Sequence, residues 1–430
     1  MIRAFAVGAA FLVAGAGVAQ EGKAPINSTA KKNDAEALIP PQGNYAVKAG
    51  KIFTAAKAGN IDSGVVLVKA GKIEAVGPAA TVKIPEGYTV IDASDKFVMP
   101  GLIECHCHVG GTGDLNEMVY QTNPELRVLD QVVPHNDQLK RGIAGGVTTV
   151  CYIPGSGTNM GGFGAIMKTG PGKKTEDVLV RFPGVLKIAQ AGNPERQAGE
   201  VGSGRIGMNY VIREQLREGM GYTKDWDDYE AGRRKTKPAV NLRLENFKPL
   251  FHREIPVLVH TQGYQVVMST IRILHDEMNL KLIVGHGEFD SYKLTKEIVE
   301  RKIPSMTGPR GFWNDPDTGH IRGIVVEQFK RGQDFIGVNT DSPVVPQEEL
   351  FFQATMAVRY GLPEDVALRG LTIKAAEALM IDKRVGSLEP GKDGDIIVLT
   401  GPVIDPRNYV TMALIDGRIV YDTTKDRRRF

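Results

Sequence analysis

Residues Val98 to Gly110 read VMPGLIECHCHVG, an apolar run that closes on two histidines one residue apart, with a cysteine on either side of the first. Extended backbone sends alternate side chains to opposite faces. On a strand, His106 and His108 therefore share one face, and Cys105 and Cys107 share the other. Two cysteines so placed are in poor geometry to bridge each other. Cys151 is the only further cysteine, so neither a disulfide framework nor a redox pair is expected. A lone His-x-His pair often does no more than end a strand; the spacing of the remaining chain argues for more.

Counting this stretch, eight apolar β-rich runs recur: GLIECHCHV, GVTTVCYIP, GAIMKT, GVLKIAQ, IPVLVHT, LKLIVGH, IPSMTG and DFIGVNTD. Helix-like stretches such as YQVVMSTIRILHDEMN and SYKLTKEIVERK fall between the later ones. Repeated βα units within residues 101–383 suit an α/β (β/α)8 TIM-like barrel, which takes roughly 250 residues. The segment from Gly111 to about Gly145 is longer than a tight connection and is expected to lie over the catalytic face. Short alternating runs before residue 101 (YAVKAGKIFTA, SGVVLVKAGKIEAVGP) and near the C-terminus (GKDGDIIVLTG, VTMALIDGRIVYD) point to a small β-sandwich formed from both chain ends, residues 43–100 and 384–430.

The first residues, MIRAFAVGAAFLVAGAGVAQ, carry one arginine, an apolar core and small residues near Ala19. Residues 1–19 thus read as a cleavable export signal, and 20–42 as a polar linker. The apolar core is shorter than the roughly 20 residues of a membrane span. Stable membrane insertion after signal removal is not expected, and the protein is placed outside the cytoplasm, periplasmic or secreted. With 42% hydrophobic and 24% charged residues and a net charge of +3 over 430 residues, the chain is globular and has no affinity signature for nucleic acid.

Polar residues end the apolar strands where a barrel builds its active site: His106 and His108, then His260 in IPVLVHTQG, His286 in LKLIVGHGE and Asp341 in DFIGVNTDSP. Imidazoles and a carboxylate suit a divalent ion such as zinc, with a coordination position left for water.

The stretches VMPGLIECHCH, VH, GHG and NTDSP, with the tail IKAAEALMIDKRVGSLEPGKDGDIIVLTG, closely resemble the amidohydrolase superfamily of metal-dependent hydrolases, most like its imidazolonepropionase-related and prolidase-like branches. The resemblance covers nearly everything after the linker. It implies that His106, His108 and Asp341 hold one metal, and that His260 and His286 hold a second or complete the first. Lys187, in GVLKIAQAGNPER, matches the lysine that bridges two ions when carboxylated. One or two ions, zinc first among them, are expected. Asp341 would carry a proton from the attacking water to the leaving amine; His286 would orient or stabilise the oxyanion if it is not a ligand.

The chain departs from the pattern in three places: Gly192 and Asn193 where an acidic residue is usual, Glu104 where the motif has Asp, and Gln262 where a second histidine often follows. Gln262, Arg310 and Trp313, the last two in TGPRGFW, are candidate substrate contacts. The glycine-rich IPGSGTNMGGFG lacks the lysine of a phosphate loop and is read as shaping the pocket. Ser156 within it has no histidine at a suggestive position, so a serine nucleophile is not expected. His135, His252, His275 and His320 are read as solvated. The expected activity is hydrolysis of an amide-type C–N bond in a small molecule or short peptide (a dipeptide, an N-acyl amino acid or a cyclic amide). The alternatives are a metal-dependent deaminase and a metal-containing binding protein without turnover. A homo-oligomer is compatible with the fold.

Overall fold

The computed structural model describes residues 39–113, 115–134, 136–196 and 204–425. The signal segment and most of the linker lie outside these residues, as does His135.

The described chain opens with β1 (Tyr45–Phe53), β2 (Asn60–Lys69), β3 (Lys72–Pro78) and β4 (Thr89–Pro100). β1 sits between antiparallel β2 and parallel β4. Only Gly101 then separates β4 from β5 (Leu102–Cys107). A Cβ at Gly101 would lie 2.1 Å from Thr148 Oγ1, so a side chain there would push apart the first two barrel strands.

The barrel follows with β5, β6 (Val147–Tyr152), β7 (Met160–Lys168), β8 (Leu179–Ala189), β9 (Val257–Gln262), β10 (Leu282–Glu288) and β11 (Ser305–Thr307). After a small ribbon of β12 (Phe312–Asn314) and β13 (Ile321–Gly323), β14 (Ile336–Val338) takes the far edge. Each of the eight quoted runs supplies one strand, and the strands pair in chain order. The edges approach where His108 N–H donates to Ser342 O at 2.8 Å, so the barrel is nearly closed.

The expectation of a regular (β/α)8 barrel needs one correction: β7 runs antiparallel to both β6 and β8. A parallel crossover needs a dozen or more residues, usually including a helix. Residues 153–159 and 169–178 hold only a loop and the short turn Thr175–Val178. A tight connection can only reverse the strand.

β15 (Ile396–Leu399), β16 (Val410–Ile415) and β17 (Arg418–Asp422) return to the first unit, where β15 pairs antiparallel with β4. Where two facing layers are expected, the pairing gives one seven-stranded sheet, because the two chain ends meet edge to edge on β4. Both ends feed one apolar cluster, with Val47, Val66 and Ile73 from the first and Ile396, Val398 and Leu414 from the second. The other face joins Phe97, Met99 and Leu399 to Leu139 and Ile143 of the helix Asp137–Ala144, fastening the sheet to the barrel. At this seam Lys168 of β7 is buried against Asp395, against Asp393 at 3.0 Å and against Asp416 at 3.5 Å. Among the described residues no helix is long and apolar enough to cross a membrane.

Candidate metal centre

Strand alternation decides which side chains enter the barrel. His106 in β5 and His108 just past its end point inward; Cys105 faces Ala375 O at 3.7 Å and Cys107 meets Gln347 Nε2 at 3.1 Å. All three cysteines are free and buried. Glu104, one alternation earlier and fully buried, accepts from His106 N–H at 2.9 Å, from Thr340 N–H at 2.9 Å and from the Thr340 hydroxyl at 2.6 Å. It thereby ties the first barrel strand to the turn after the last. Asp341 follows that anchor with φ 51°, and His286, two residues before the end of β10, has φ 62°. Left-handed backbone at such residues costs of order 1–3 kcal/mol and persists only where neighbours over-determine it; here it turns both side chains into the mouth.

The structure brings His106, His108, Lys187, His260, His286 and Asp341 together. Asp341 Oδ1 lies 3.1 Å from His108 Nε2 and 3.3 Å from His106 Nε2. Lys187 Nζ lies 2.9 Å from the same His106 nitrogen. One donor atom from each of His106, His260 and His286, and one from each of His106, His108 and Asp341, form two groups within 4.8 Å. His108 Nδ1 is held by Ile153 O at 3.0 Å, and His286 Nδ1 by Gly308 O.

These donors fit a cation. His260 Nε2 and His286 Nε2 are buried with no hydrogen-bond partner among the described residues. His106 Nε2 faces an amine and a carboxylate at once, and no single tautomer can both accept from the first and donate to the second. A divalent ion between these atoms would satisfy all of them.

Burial controls the electrostatics. It pushes the Lys187 amine down to about 7 and His286 to about 4, and holds His106 and His260 well below the usual imidazole value. Burial alone would raise the Asp341 carboxyl, but its hydrogen bonds with His106 and His108 outweigh that and hold it far below the usual range. Neutral imidazoles at His106, His260 and His286 and an ionised carboxylate are the protonation states a metal requires of its ligands, and the Lys187 amine is brought into the range where its lone pair is partly free.

A cavity of about 290 Å³ opens beside this cluster, lined by His108, Leu115, Asn116, Ser156, Asn193 and Asp341 among others. The Gly111–Gly145 insertion and the glycine-rich loop therefore both shape it. Ser156 needs a correction: its Oγ lies 3.0 Å from His260 Nδ1, a partner 104 residues away that local spacing could not reveal. Gln262 ends β9 in register with Glu288. Gly192 lies against Gln262 and His260, where a Cβ would stand 3.3 Å from Gln262 Oε1 and 3.9 Å from His260 Nε2.

Arg310 and Trp313 do not line this cavity. Arg310 donates its backbone N–H to Glu288 Oε1 at 3.2 Å while its largely exposed guanidinium lies 3.9 Å from Oε2, and Trp313 packs on Phe289 and Tyr292. Glu288 is itself a residue that the strand pattern does not single out: it is buried, and burial pushes its carboxyl up to about 7. Its place two residues after His286 was the available signal. His252 and His275 pair with Asp227 and Asp276 at 2.9 Å, and His320 is exposed, all away from the site.

The amidohydrolase family profile matches residues 320–420, which include Asp341. A crystal structure of an amidohydrolase from Thermotoga maritima superposes with a TM-score of 0.77 at 30% identity, covering 88% of this chain and all of that one. The chain is 24% identical over 411 residues to a 5-methylthioadenosine/S-adenosylhomocysteine deaminase of Symbiobacterium thermophilum, covering 84% of this chain and 89% of that protein. It is 23% identical over 395 residues to an imidazolonepropionase of Sphingopyxis alaskensis, covering 79% and 87%. Against the longer amidohydrolase tasK of Hapsidospora irregularis, 23% identical over 401 residues, it spans 40% of that protein's length. The chain belongs to the amidohydrolase family and is a hydrolase acting on carbon–nitrogen bonds, in a family that typically binds divalent metals.

Proposed function

We propose that the protein hydrolyses the C–N bond of a small neutral amide, with cyclic amides favoured over dipeptides and N-acyl amino acids. The observation that carries this is the convergence of His106, His108, Lys187, His260, His286 and Asp341 beside a cavity whose described lining holds no lysine or arginine. A dipeptide or N-acyl amino acid brings a free carboxylate, which a confined site would pair with a cation. Similarity to an enzyme named imidazolonepropionase supports the cyclic reading.

His106, His108 and Asp341 would hold one ion, and His260 and His286 a second or the remainder of the first. A bound divalent ion, zinc by preference, supplies Lewis acidity toward a carbonyl and lowers the pKa of water to about 7. Lys187, with an amine held near 7, has the free lone pair needed to add to carbon dioxide; its nitrogen forms the new C–N bond and releases one proton, leaving an anionic carbamate. Asp341, kept ionised and facing the cavity, accepts the proton of the attacking water and returns it to the leaving nitrogen. Asn116, Asn193 and Ser156 line the same cavity and would orient the substrate.

Metal content, together with turnover of a panel of cyclic amides, open amides and dipeptides, tests the proposal. Asp341→Asn should keep most of its metal and lose turnover by about 10²–10⁴-fold; a fully active variant would overturn the assignment. A second reading, deamination, is favoured by Glu288, a buried acid opposite Gln262. Ammonia released from an amino-substituted ring in the same panel, without ring opening, would replace the first reading with the second. We also propose export on residues 1–19, which cell fractionation with and without that segment tests.

A further inference from the structure

His260 shows two different nitrogens to its surroundings. Nδ1 lies 3.0 Å from Ser156 Oγ, while Nε2 is buried without a partner among the described residues. A neutral imidazole has one proton to place. If Nε2 is to offer a lone pair to a metal, the proton sits on Nδ1 and is donated to the Ser156 oxygen. That hydroxyl then has its own hydrogen left to donate, and Ser156 lines the cavity.

The loop carrying Ser156 is fixed from the insertion side. Gly157 N–H donates to Asn116 Oδ1 at 2.8 Å and Gly155 N–H donates to Leu115 O at 3.0 Å. Cβ atoms at Gly155 and Gly157 would come within 2.2 and 2.8 Å of Asn116 Oδ1, so the glycines on either side of the serine let the two segments meet. Ser156 itself is buried, leaving its hydroxyl little choice of position.

We propose that Ser156 is a positioning residue that fixes the tautomer and orientation of His260, and that its hydroxyl, once committed as acceptor to the histidine, presents a hydrogen-bond donor to an oxygen of the substrate. Ligand geometry and substrate choice are thereby set by one atom. A substrate with only a donor at that place is selected against, because it would leave the hydroxyl hydrogen unpaired. The inference rests on the metal-dependent hydrolase reading above.

The test measures zinc affinity of metal-free wild type, Ser156→Ala and Ser156→Thr by competition with a chromophoric chelator, then KM and kcat on the best amide of the panel. Losing the partner of a ligating histidine typically costs 10–100-fold in metal affinity. The alanine variant should bind zinc at least about 10-fold more weakly and show a raised KM, and the threonine variant, which keeps the hydroxyl, should recover most of both. Zinc affinity in Ser156→Ala equal to wild type would overturn the proposal, and so would a threonine variant that folds as wild type yet recovers nothing. Weaker zinc binding with KM unchanged at saturating zinc would overturn the substrate half. A wild type that takes up no zinc would instead overturn the metal-dependent reading, so the two failures are distinguishable.

Discussion

Two buried lysines stand on neighbouring strands of one hairpin and have opposite fates. Lys168 of β7 meets Asp393, Asp395 and Asp416. Burial acts to lower its pKa, but the three carboxylates outweigh that and the net shift is upward. Lys187 of β8 forms no ion pair with a carboxylate among the described residues; it faces the nitrogen of His106, and burial brings its amine down to about 7. A buried ammonium whose charge is matched acts as a joint between sheet and barrel. A buried amine whose charge is unmatched is poised for reaction.

The largest effects should separate these roles. Lys168→Met leaves the buried Asp395 without its cation, whereas Asp393 keeps Lys72 and Arg384, and should cost about 3 kcal/mol or more of stability, read by urea unfolding, while the molecules that remain folded keep their turnover. Lys187→Met should leave the metal-free protein at least as stable as wild type, since a buried amine with no carboxylate ion pair, bonded only to the His106 nitrogen, is replaced by an apolar group. It should nevertheless lower bound metal and reduce turnover by about 10²-fold or more. Equal destabilisation by both substitutions would show that the two buried lysines are matched alike.

Glu104 is a third buried charge, matched by N–H and O–H donors rather than by a cation, and burial pushes it up to about 7. Glu104→Gln turns an amide toward donors already in place. Turnover should fall by about 10-fold with metal retained; an unchanged rate would show that the tie between β5 and Thr340 is not needed to hold Asp341. The smallest effect is a slope. Lys187 has a folded value near 7 against the ordinary 10.5, so between these values the unfolded chain holds a proton that the folded chain lacks, and stability of the metal-free protein rises with pH from about 7 to 10. Lys168, shifted upward, adds no slope in that window. Urea midpoints at pH 7 and 9 should therefore diverge between wild type and Lys187→Met; parallel midpoints would contradict an unmatched amine.

The barrel strands were legible because each is an apolar run ending in a polar residue, and that pattern also carried His106, His108, His260, His286 and Asp341. Strand direction was not written in the runs. The short connection at residues 153–159 held that information, since a crossover does not fit there. The Ser156–His260 and Glu104–Thr340 contacts span 104 and 236 residues, and only closure of the barrel creates them. Loop composition alone does not place Arg310 or Trp313 on the cavity wall, and neither is among the residues that line it. The edge-to-edge join of the two chain ends was equally invisible, because alternation specifies which face is apolar and not which edge finds a partner.

That join has a consequence for biosynthesis. β4 receives β1 on one edge early, but its other edge waits for β15, made almost three hundred residues later. A nascent chain therefore exposes Phe97 to Pro100 as an open apolar edge, the kind that recruits other chains. Only Gly101 and Leu102 to Glu104 separate that edge from the residues leading into His106. Premature termination before residue 396 should thus yield aggregates rather than a weakened enzyme.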